Sequence, residues 1–391
     1  MKAFGSIFVF AGELSGDMYG AHLIAALKKQ LGNIEFKGVA GPEMRHQGVS
    51  FDLTMEDFSV MGFTDVLLEL PKLWKQFHQI RKCIVAECPD AVIFIDSPSF
   101  SLRMAKALRK GGYRGKIIQY ISPTVWAWGS HRIKEMADTL DLLLAIYPFE
   151  LQYFANTSLK VEYVGHPLRE IISQHQYSPD WQKLLGIKDT EHLVALFPGS
   201  RPKEIKRNLP KQLMAAKLLK EQEPQTRFAI SCAHEQNMSL VQEILKQQQL
   251  QHNREVYFVP KTYSYELMRS CRSAMAKSGT VTLELALHQC PAVVSYELTL
   301  LNRLIAKHIL KVRLPHYCIV NILSGKEVYP EMIEKAFSGE DLYRLLRALN
   351  QPGIERERCI ADCILMGQLL QENNASERAA EHIVALQDMQ A

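Results

Sequence analysis

Ala274-Met-Ala-Lys-Ser-Gly-Thr-Val-Thr-Leu-Glu284 is a short apolar run, a Ser278-Gly279-Thr280 turn and an apolar stretch of helical character. A strand that passes through a glycine turn straight into a helix is the βα joint of a doubly wound parallel sheet. Such a joint aims the first N–H groups of the helix, and the positive end of its dipole, beyond the strand, where they suit phosphate oxygens. Glu284 lies about one turn inside and could accept hydrogen bonds from ribose hydroxyls; the dipole alone would also favour a glutamate there.

Outward from this joint the pattern repeats. Leu193–Phe197, Arg227–Ser231, Val256–Val259 and Ala292–Tyr296 read as strands, separated by helical stretches at Leu209–Leu219, Ser239–Gln247 and Tyr263–Cys271. In the first half Ile7–Ala11, Ala91–Ile95, Lys116–Ile121, Leu142–Ile146 and Val161–Val164 are strand-like, with helices at Asp17–Gln30 and Leu102–Arg109. The alternation predicts an α/β chain of two doubly wound domains in tandem. Residues 1–168 form the first and 191–355 the second, joined by a polar connection at 169–190. Residues 356–391 are helical, and the pattern leaves their docking site open.

The 391 residues are 47% hydrophobic and 23% charged, which suits two globular cores and excludes a disordered or fibrous chain. With 46 basic and 42 acidic residues, the net charge of +4 gives no argument for a nucleic-acid partner. No apolar run approaches the roughly 20 residues of a spanning helix. The first ten residues lack the small-residue cleavage site of a signal peptide. The eight cysteines are scattered without a CxxC pair and read as reduced thiols of a cytoplasmic protein.

In open α/β sheets ligands bind beyond the carboxyl ends of the strands, so the residues just after each strand carry the information. Phe10-Ala-Gly12-Glu-Leu-Ser15-Gly16-Asp17 follows the first strand; its glycines admit a close backbone approach, and Ser15 or Asp17 could equally cap the helix. Ile95-Asp96-Ser-Pro-Ser-Phe100 sets a lone carboxylate at a strand end, suited to taking a proton from a hydroxyl or to capping the next helix. Ser122-Pro-Thr-Val-Trp126-Ala-Trp128 brings two tryptophans after a strand, to line a sugar or acyl pocket or to pack between domains. His166, in Gly165-His-Pro167, reads as a turn or interdomain residue before a catalytic imidazole. Phe197-Pro-Gly199-Ser200-Arg201 opens the second domain with a turn and a guanidinium that can grip a diphosphate bidentately, or bridge the domains. The chain lacks GxxxxGK[ST], HExxH, GxSxG and D-x-D signatures.

Two stretches combine apolar helical spacing with cations: Phe63–Lys82, with Lys72, Lys75, Arg81 and Lys82, and Leu300–Leu314, with Arg303, Lys307, Lys311 and Arg313. Both suit an anionic lipid surface; a core-facing helix with a basic solvated side reads the same way.

Taken in order, Ala11–Asp17, Ile95–Pro98, Ser122–Trp128, Val164–Leu168, Pro198–Arg201 and Ser278–Glu284, with Leu314-Pro315 and Asn321-Ile-Leu323, closely resemble the lipid-A-disaccharide synthase family. One departure is Ser99, where the family often carries a second acid after the proline of the aspartate loop. The resemblance implies a GT-B glycosyltransferase: two Rossmann-like domains facing across a cleft, the acceptor in the first and the donor nucleotide in the second. It implies transfer from UDP-2,3-diacylglucosamine to 2,3-diacylglucosamine 1-phosphate (lipid X), with inversion, giving a β-1,6-linked disaccharide and UDP. The missing D-x-D agrees with a reaction that needs no metal or other cofactor.

Carried onto this chain, the resemblance makes Asp96 the general base and gives Arg201 and the Gly279–Val281 amides the charge on departing UDP. Gly199, Ser200, Ser278, Gly279 and Thr280 shape the diphosphate site, Glu284 fixes the ribose, and Asn321 contacts the diphosphate. Gly12, Ser15, Gly16 and Asp17 shape the acceptor side. The acylated substrates imply a peripheral site on the inner face of a Gram-negative inner membrane, reached through Phe63–Lys82 and also through Leu300–Leu314, and the chain could form a homodimer. An epimerase or lipid-linked N-acetylglucosamine transferase of the same fold is the alternative enzyme; acceptor dependence separates the epimerase. A lipid-binding scaffold without activity is disfavoured by the presence of both Asp96 and Arg201.

Overall fold

The computed structural model describes residues 4–58, 63–126, 129–188, 192–231, 235–250, 254–296, 315–333, 337–370 and 374–390. It divides into two compact units, Met1–Ile171 with Glu372–Ala391, and Ile172–Gln371.

The first unit carries β1 (Ser6–Ala11), β2 (Glu35–Val39), β3 (Ala91–Ile95), β4 (Lys116–Tyr120), β5 (Leu142–Ala145) and β6 (Lys160–Tyr163). They form one parallel sheet in the order β2-β1-β3-β4-β5-β6. Every residue of β3 and β5 is buried, which is why these strands read as unbroken apolar runs. On one face Phe10 stacks on Phe100 at 3.9 Å, and Ile80 and Ile84 of the helix Phe63–Glu87 join the same core. The C-terminal helix Ala375–Val384 packs on the helix Leu14–Leu31, so the end of the chain completes the first unit. Glu170 fixes it by accepting from Ser376 N–H at 2.8 Å.

The second unit carries β7 (His192–Phe197), β8 (Thr226–Ser231), β9 (Val256–Val259), β10 (Ser273–Lys277), β11 (Ala292–Tyr296) and β12 (Glu331–Ile333). Again all neighbours are parallel, in the order β12-β11-β10-β7-β8-β9. Residues after Ile171, expected as a connection, contribute to this unit. Trp181 is buried, and Glu266 accepts from Ser178 N–H at 3.0 Å and pairs with His175 at 3.1 Å. The helix Ile354–Leu369 packs here, against the helices Thr280–Leu287 and Ile319–Ser324.

Both sheets reverse strand order once, between β1 and β3 and between β7 and β10. At such a point the loops leave adjacent strands in opposite directions and open a crevice beyond the carboxyl ends, the place where doubly wound sheets take ligands.

Candidate functional site

In the first unit the reversal sets Ala11 opposite Ile95, so Gly12–Asp17 and Asp96–Pro98 emerge side by side. Gly12 lets the two loops come into contact: a Cβ built on it would lie 2.6 Å from Ser97 Oγ, and that hydroxyl would have to turn away to admit a side chain. Gly20 does the same for helix packing: a Cβ there would meet Met44 Sδ at 2.5 Å and Ile95 Cδ1 at 2.6 Å.

The backbone at this end is strained. Asp96, Ser97 and Ile121 have φ of 55°, 52° and 74°, and for the β-branched isoleucine that conformation is a true outlier. Each such residue costs about 1–3 kcal/mol and persists only where its surroundings over-determine it. Here they do. Asp96 N–H donates to Tyr120 O at 3.0 Å, and the Asp96 carbonyl accepts from Ser101 Oγ at 2.8 Å and Gln119 Nε2 at 3.1 Å. Gln119 Nε2 also reaches the Ile121 carbonyl at 3.1 Å, tying β3 to β4. Burial, reinforced by the Glu13 carboxylate, pushes the Asp96 carboxyl up to about 6, and the Ser97 N–H partly offsets the rise. A carboxylate poised just below neutrality and held by a rigid backbone is equipped to accept a proton.

Other residues of this unit have interior roles. Asp17 is buried and accepts from the N–H groups of Gly41, Glu43 and Met44 at 2.9, 2.9 and 3.0 Å, capping the helix Pro42–His46. Gly16 is buried, whereas Ser15 is half-exposed. His166 is buried between the rings of Tyr19 and Tyr147, and its Nδ1 accepts from Leu168 N–H. Burial pushes its pKa down to about 3, so it is neutral and carries its proton on Nε2. Trp126 packs edge-on to Phe149 at 5.5 Å, beside buried Glu150, whose carboxyl burial raises to about 8. Trp128 lies outside the described residues.

In the second unit the reversal sets Phe197 opposite Ala276, bringing Gly199-Ser200-Arg201 beside Ser278-Gly279-Thr280. Two helices begin there, Pro202–Gln222 and Thr280–Leu287. Glu204 joins the two loops. Its Oε2 accepts from Ser200 N–H at 3.2 Å and Arg201 N–H at 3.4 Å, while Oε1 lies 3.1 Å from Lys277 Nζ and 3.9 Å from the Arg201 guanidinium. Gly199 has φ of 122°, and a Cβ on it would fall 2.6 Å from Glu204 Oε2, so this turn requires glycine. Asn208 Nδ2 holds the Pro198 carbonyl at 3.0 Å and Asn237 Nδ2 the Ser200 carbonyl at 2.9 Å. Gly279 and Thr280 are exposed at the helix start.

Glu284 is placed one turn further in, where Tyr265 donates its hydroxyl to Oε1 at 3.2 Å. Burial raises the carboxyl above the usual range, and the Tyr265 hydroxyl and Lys261 counter it. Asn321, on the helix Ile319–Ser324 that packs against the helix Thr280–Leu287, is fully buried: its Oδ1 accepts from Val328 and Tyr329 N–H at 2.9 Å each, and its Nδ2 donates to Tyr329 O at 2.8 Å.

Reasoning from the sequence missed Glu204, Lys277, Asn208, Asn237, Tyr265 and, in the first unit, Glu13 and Gln119. Only Glu204 and Lys277 left a usable signal: an acid in the first helical turn three residues after Arg201, and a cation on the last position of a strand. Of the apolar residues in Phe63–Lys82, Ile80 is buried and Phe77 packs on Phe100, whereas Trp74 is 68% exposed and flanked by exposed Lys72 and Lys75. Residues 300–314 lie outside the described residues. Among the described residues no helix is long and apolar enough to cross a membrane, and no group of His, Cys, Asp or Glu is arranged to hold a metal ion.

The whole chain is similar in fold to a co-structure of S. aureus MnaA with UDP, with a TM-score of 0.68 at 13% identity over 98% of this chain and 97% of that one. That likeness shows the fold, a GT-B chain of two Rossmann-like units. Sequence similarity is closer. The lipid-A-disaccharide synthase of Chlamydia pneumoniae is 41% identical over 373 residues, 93% of this chain and 61% of that protein. That of Azotobacter vinelandii is 34% identical over 383 residues, 97% of each. The chain thus spans about three fifths of the length of the chlamydial relatives and nearly all of the Azotobacter one. The family model LpxB, lipid-A-disaccharide synthetase, matches residues 7–383, and with the motifs in their order along both units the chain belongs to that family.

Proposed function

We propose that the chain is an inverting glycosyltransferase that joins UDP-2,3-diacylglucosamine to 2,3-diacylglucosamine 1-phosphate in lipid A synthesis. The observation that carries this reading is Asp96: a carboxyl held near neutrality on a backbone strained at three residues, in a chain of this family. Asp96 takes the proton from the acceptor 6-hydroxyl as that oxygen bonds to the donor's anomeric carbon. The bond from this carbon to the diphosphate oxygen breaks on the opposite face, inverting the centre, and UDP departs with the electron pair. Arg201 and the first amides of the helix Thr280–Leu287 meet the charge that grows on the diphosphate, an interaction strongest in the transition state. Glu284, aligned by Tyr265, takes the ribose hydroxyls. Gly12 and Ser15 border the acceptor.

Both substrates carry acyl chains, and the helix Phe63–Glu87 supports a peripheral place on the inner face of the inner membrane. Its exposed Trp74 stands among Lys72, Lys75 and Lys82, the chemistry of a lipid interface.

The deciding experiment supplies purified protein with both acylated sugars and follows disaccharide and UDP together. The reading requires both products in equal amount and no turnover of the donor alone; donor consumption without acceptor would overturn it. For the membrane, Lys72, Lys75 and Lys82 changed together to Gln should sharply reduce sedimentation with anionic vesicles at low salt, since each cation contributes on the order of 1 kcal/mol. Unchanged sedimentation would return this helix to an ordinary surface.

A further inference from the structure

We infer that Lys277 is a second cation of the diphosphate site, kept in place by Glu204; the inference rests on the nucleotide reading of the second unit given above. Lys277 ends β10, and its ammonium lies 3.1 Å from Glu204 Oε1 and 4.7 Å from the centre of the Tyr296 ring. A Cβ built on Gly279 would be 3.8 Å from this nitrogen, so the charge sits directly beside the turn that starts the helix Thr280–Leu287.

That is a poor place for a cation on its own. The start of a helix carries roughly +0.5 of a charge, and acidic groups are the ones it stabilises. Here the amides at the start of the helix Pro202–Gln222, Arg201 and Lys277 converge on the carboxylate of Glu204, and Lys277 adjoins the start of the helix Thr280–Leu287. The bookkeeping leaves a positive excess of about two charges, which matches a diphosphate. Glu204 divides its oxygens accordingly, one for the two loop amides and one for the two cations, and so fixes the cations without neutralising them. The cation–ring contact with Tyr296 restrains the remaining freedom of the lysine stem.

The test compares UDP, UMP and uridine binding to the full chain by calorimetry. Wild-type protein should prefer UDP to uridine strongly; if it does not, the nucleotide reading itself fails and Lys277 is not at issue. Given that preference, Lys277→Gln should weaken UDP at least about tenfold, as loss of a hydrogen bond to a charged group does. UMP should be weakened less and uridine not at all, and Lys277→Arg should restore most of the loss. Lys277→Met keeps an unbranched apolar stem without the charge and provides the same readout if the Gln variant melts early. A UDP-to-uridine ratio within twofold of wild type in either neutral variant, or an equal loss for all three ligands, would make Lys277 a structural partner of Glu204 and overturn the inference.

Discussion

The two units share a doubly wound parallel architecture with one switch point each, in strand orders 2-1-3-4-5-6 and 3-2-1-4-5-6 counted within each unit, and differ in the chemistry at that point. In the first, the loops after β1 and β3 present two carboxylates, Glu13 and Asp96, with the backbone strained at Asp96, Ser97 and, after β4, Ile121. In the second, the loops after β7 and β10 present Arg201, Lys277 and two helix starts around one carboxylate, with the positive-φ turn residue a glycine. The first arrangement raises a proton affinity; the second accumulates positive charge. A shared fold therefore sets where chemistry happens, and the residues within three or four positions of the strand ends set which chemistry.

The sharpest way to break this comparison is Asp96→Asn. Asparagine tolerates the left-handed backbone that Asp96 adopts, so the loop should keep its shape while losing the base. Turnover should fall roughly 10²–10⁴-fold, the usual value of a positioned general base, with UDP binding retained. In the wild type the pH dependence should carry the same signature: kcat/KM rises with pH up to about 6, where Asp96 ionises, and levels above it. Turnover of Asp96→Asn within threefold of wild type would move the base elsewhere.

Next in size is Arg201→Ala in the second unit. The guanidinium is half-exposed and its ion pair with Glu204 spans 3.9 Å, so its loss should leave thermal stability nearly unchanged. Turnover should drop on the order of 10²-fold, as removal of one transition-state charge partner does, and further than UDP affinity drops. Arg201→Lys should fall between, keeping charge without the planar fork. Equal losses of turnover and UDP affinity would assign Arg201 to ground-state binding.

Asn321 sharpens the contrast from the opposite side. Its three buried hydrogen bonds tie the segment at Val328–Tyr329, so Asn321→Ala should destabilise the second unit by about 2–4 kcal/mol in thermal or urea unfolding, because it strands buried backbone groups. UDP affinity of the folded protein should stay within about twofold, a margin well under the 1.4 kcal/mol of a tenfold change. A stable variant with weakened UDP binding would restore the diphosphate contact that the family pattern implies.

What the sequence made legible follows from physics. β3, β5, β7 and β10 are central and buried on both faces, so their apolar runs stand out; β3 is followed by Asp96 and β7 by Pro198, and β10 ends at Lys277. The strands it hid are at edges. β2 reads Glu-Phe-Lys-Gly-Val and contains Gly38, where a Cβ would run into the Val9 carbonyl; β12 is three residues long. Loop residues such as Arg201 were legible because a motif surrounds them. Their positioning partners were not: Asn208, Asn237 and Tyr265 are ordinary polar positions on helices or short turns, and only the fold brings them to the loops. Asp17 and Asn321 show the converse: each is a motif residue whose buried side chain is hydrogen-bonded to the frame around it, a commitment that the motif itself does not announce.

The smallest expected effect is a gain in stability. Asp96 titrates near 6 in the folded chain and near 3.8 when unfolded, so between those values the folded state holds the extra proton. By linkage, stability falls as pH rises through that window and stays lower above it, the reverse of a salt-bridged aspartate. Asp96→Asn removes the ionisation and should recover that loss at neutral pH. The full shift would correspond to about 3 kcal/mol. The residue is only half-buried by area, so solvent screening cuts the gain to about 1 kcal/mol. Urea unfolding of both proteins at pH 4, 5, 6 and 7.5 checks the sign: the advantage of Asp96→Asn should be absent at pH 4, grow across the window and be constant above about pH 7. An advantage that is largest at pH 4, or a loss at every pH, would mean that the Asp96 carboxylate is stabilised by the fold, and the contrast between a proton-holding first unit and a charge-holding second unit would fail at its central residue.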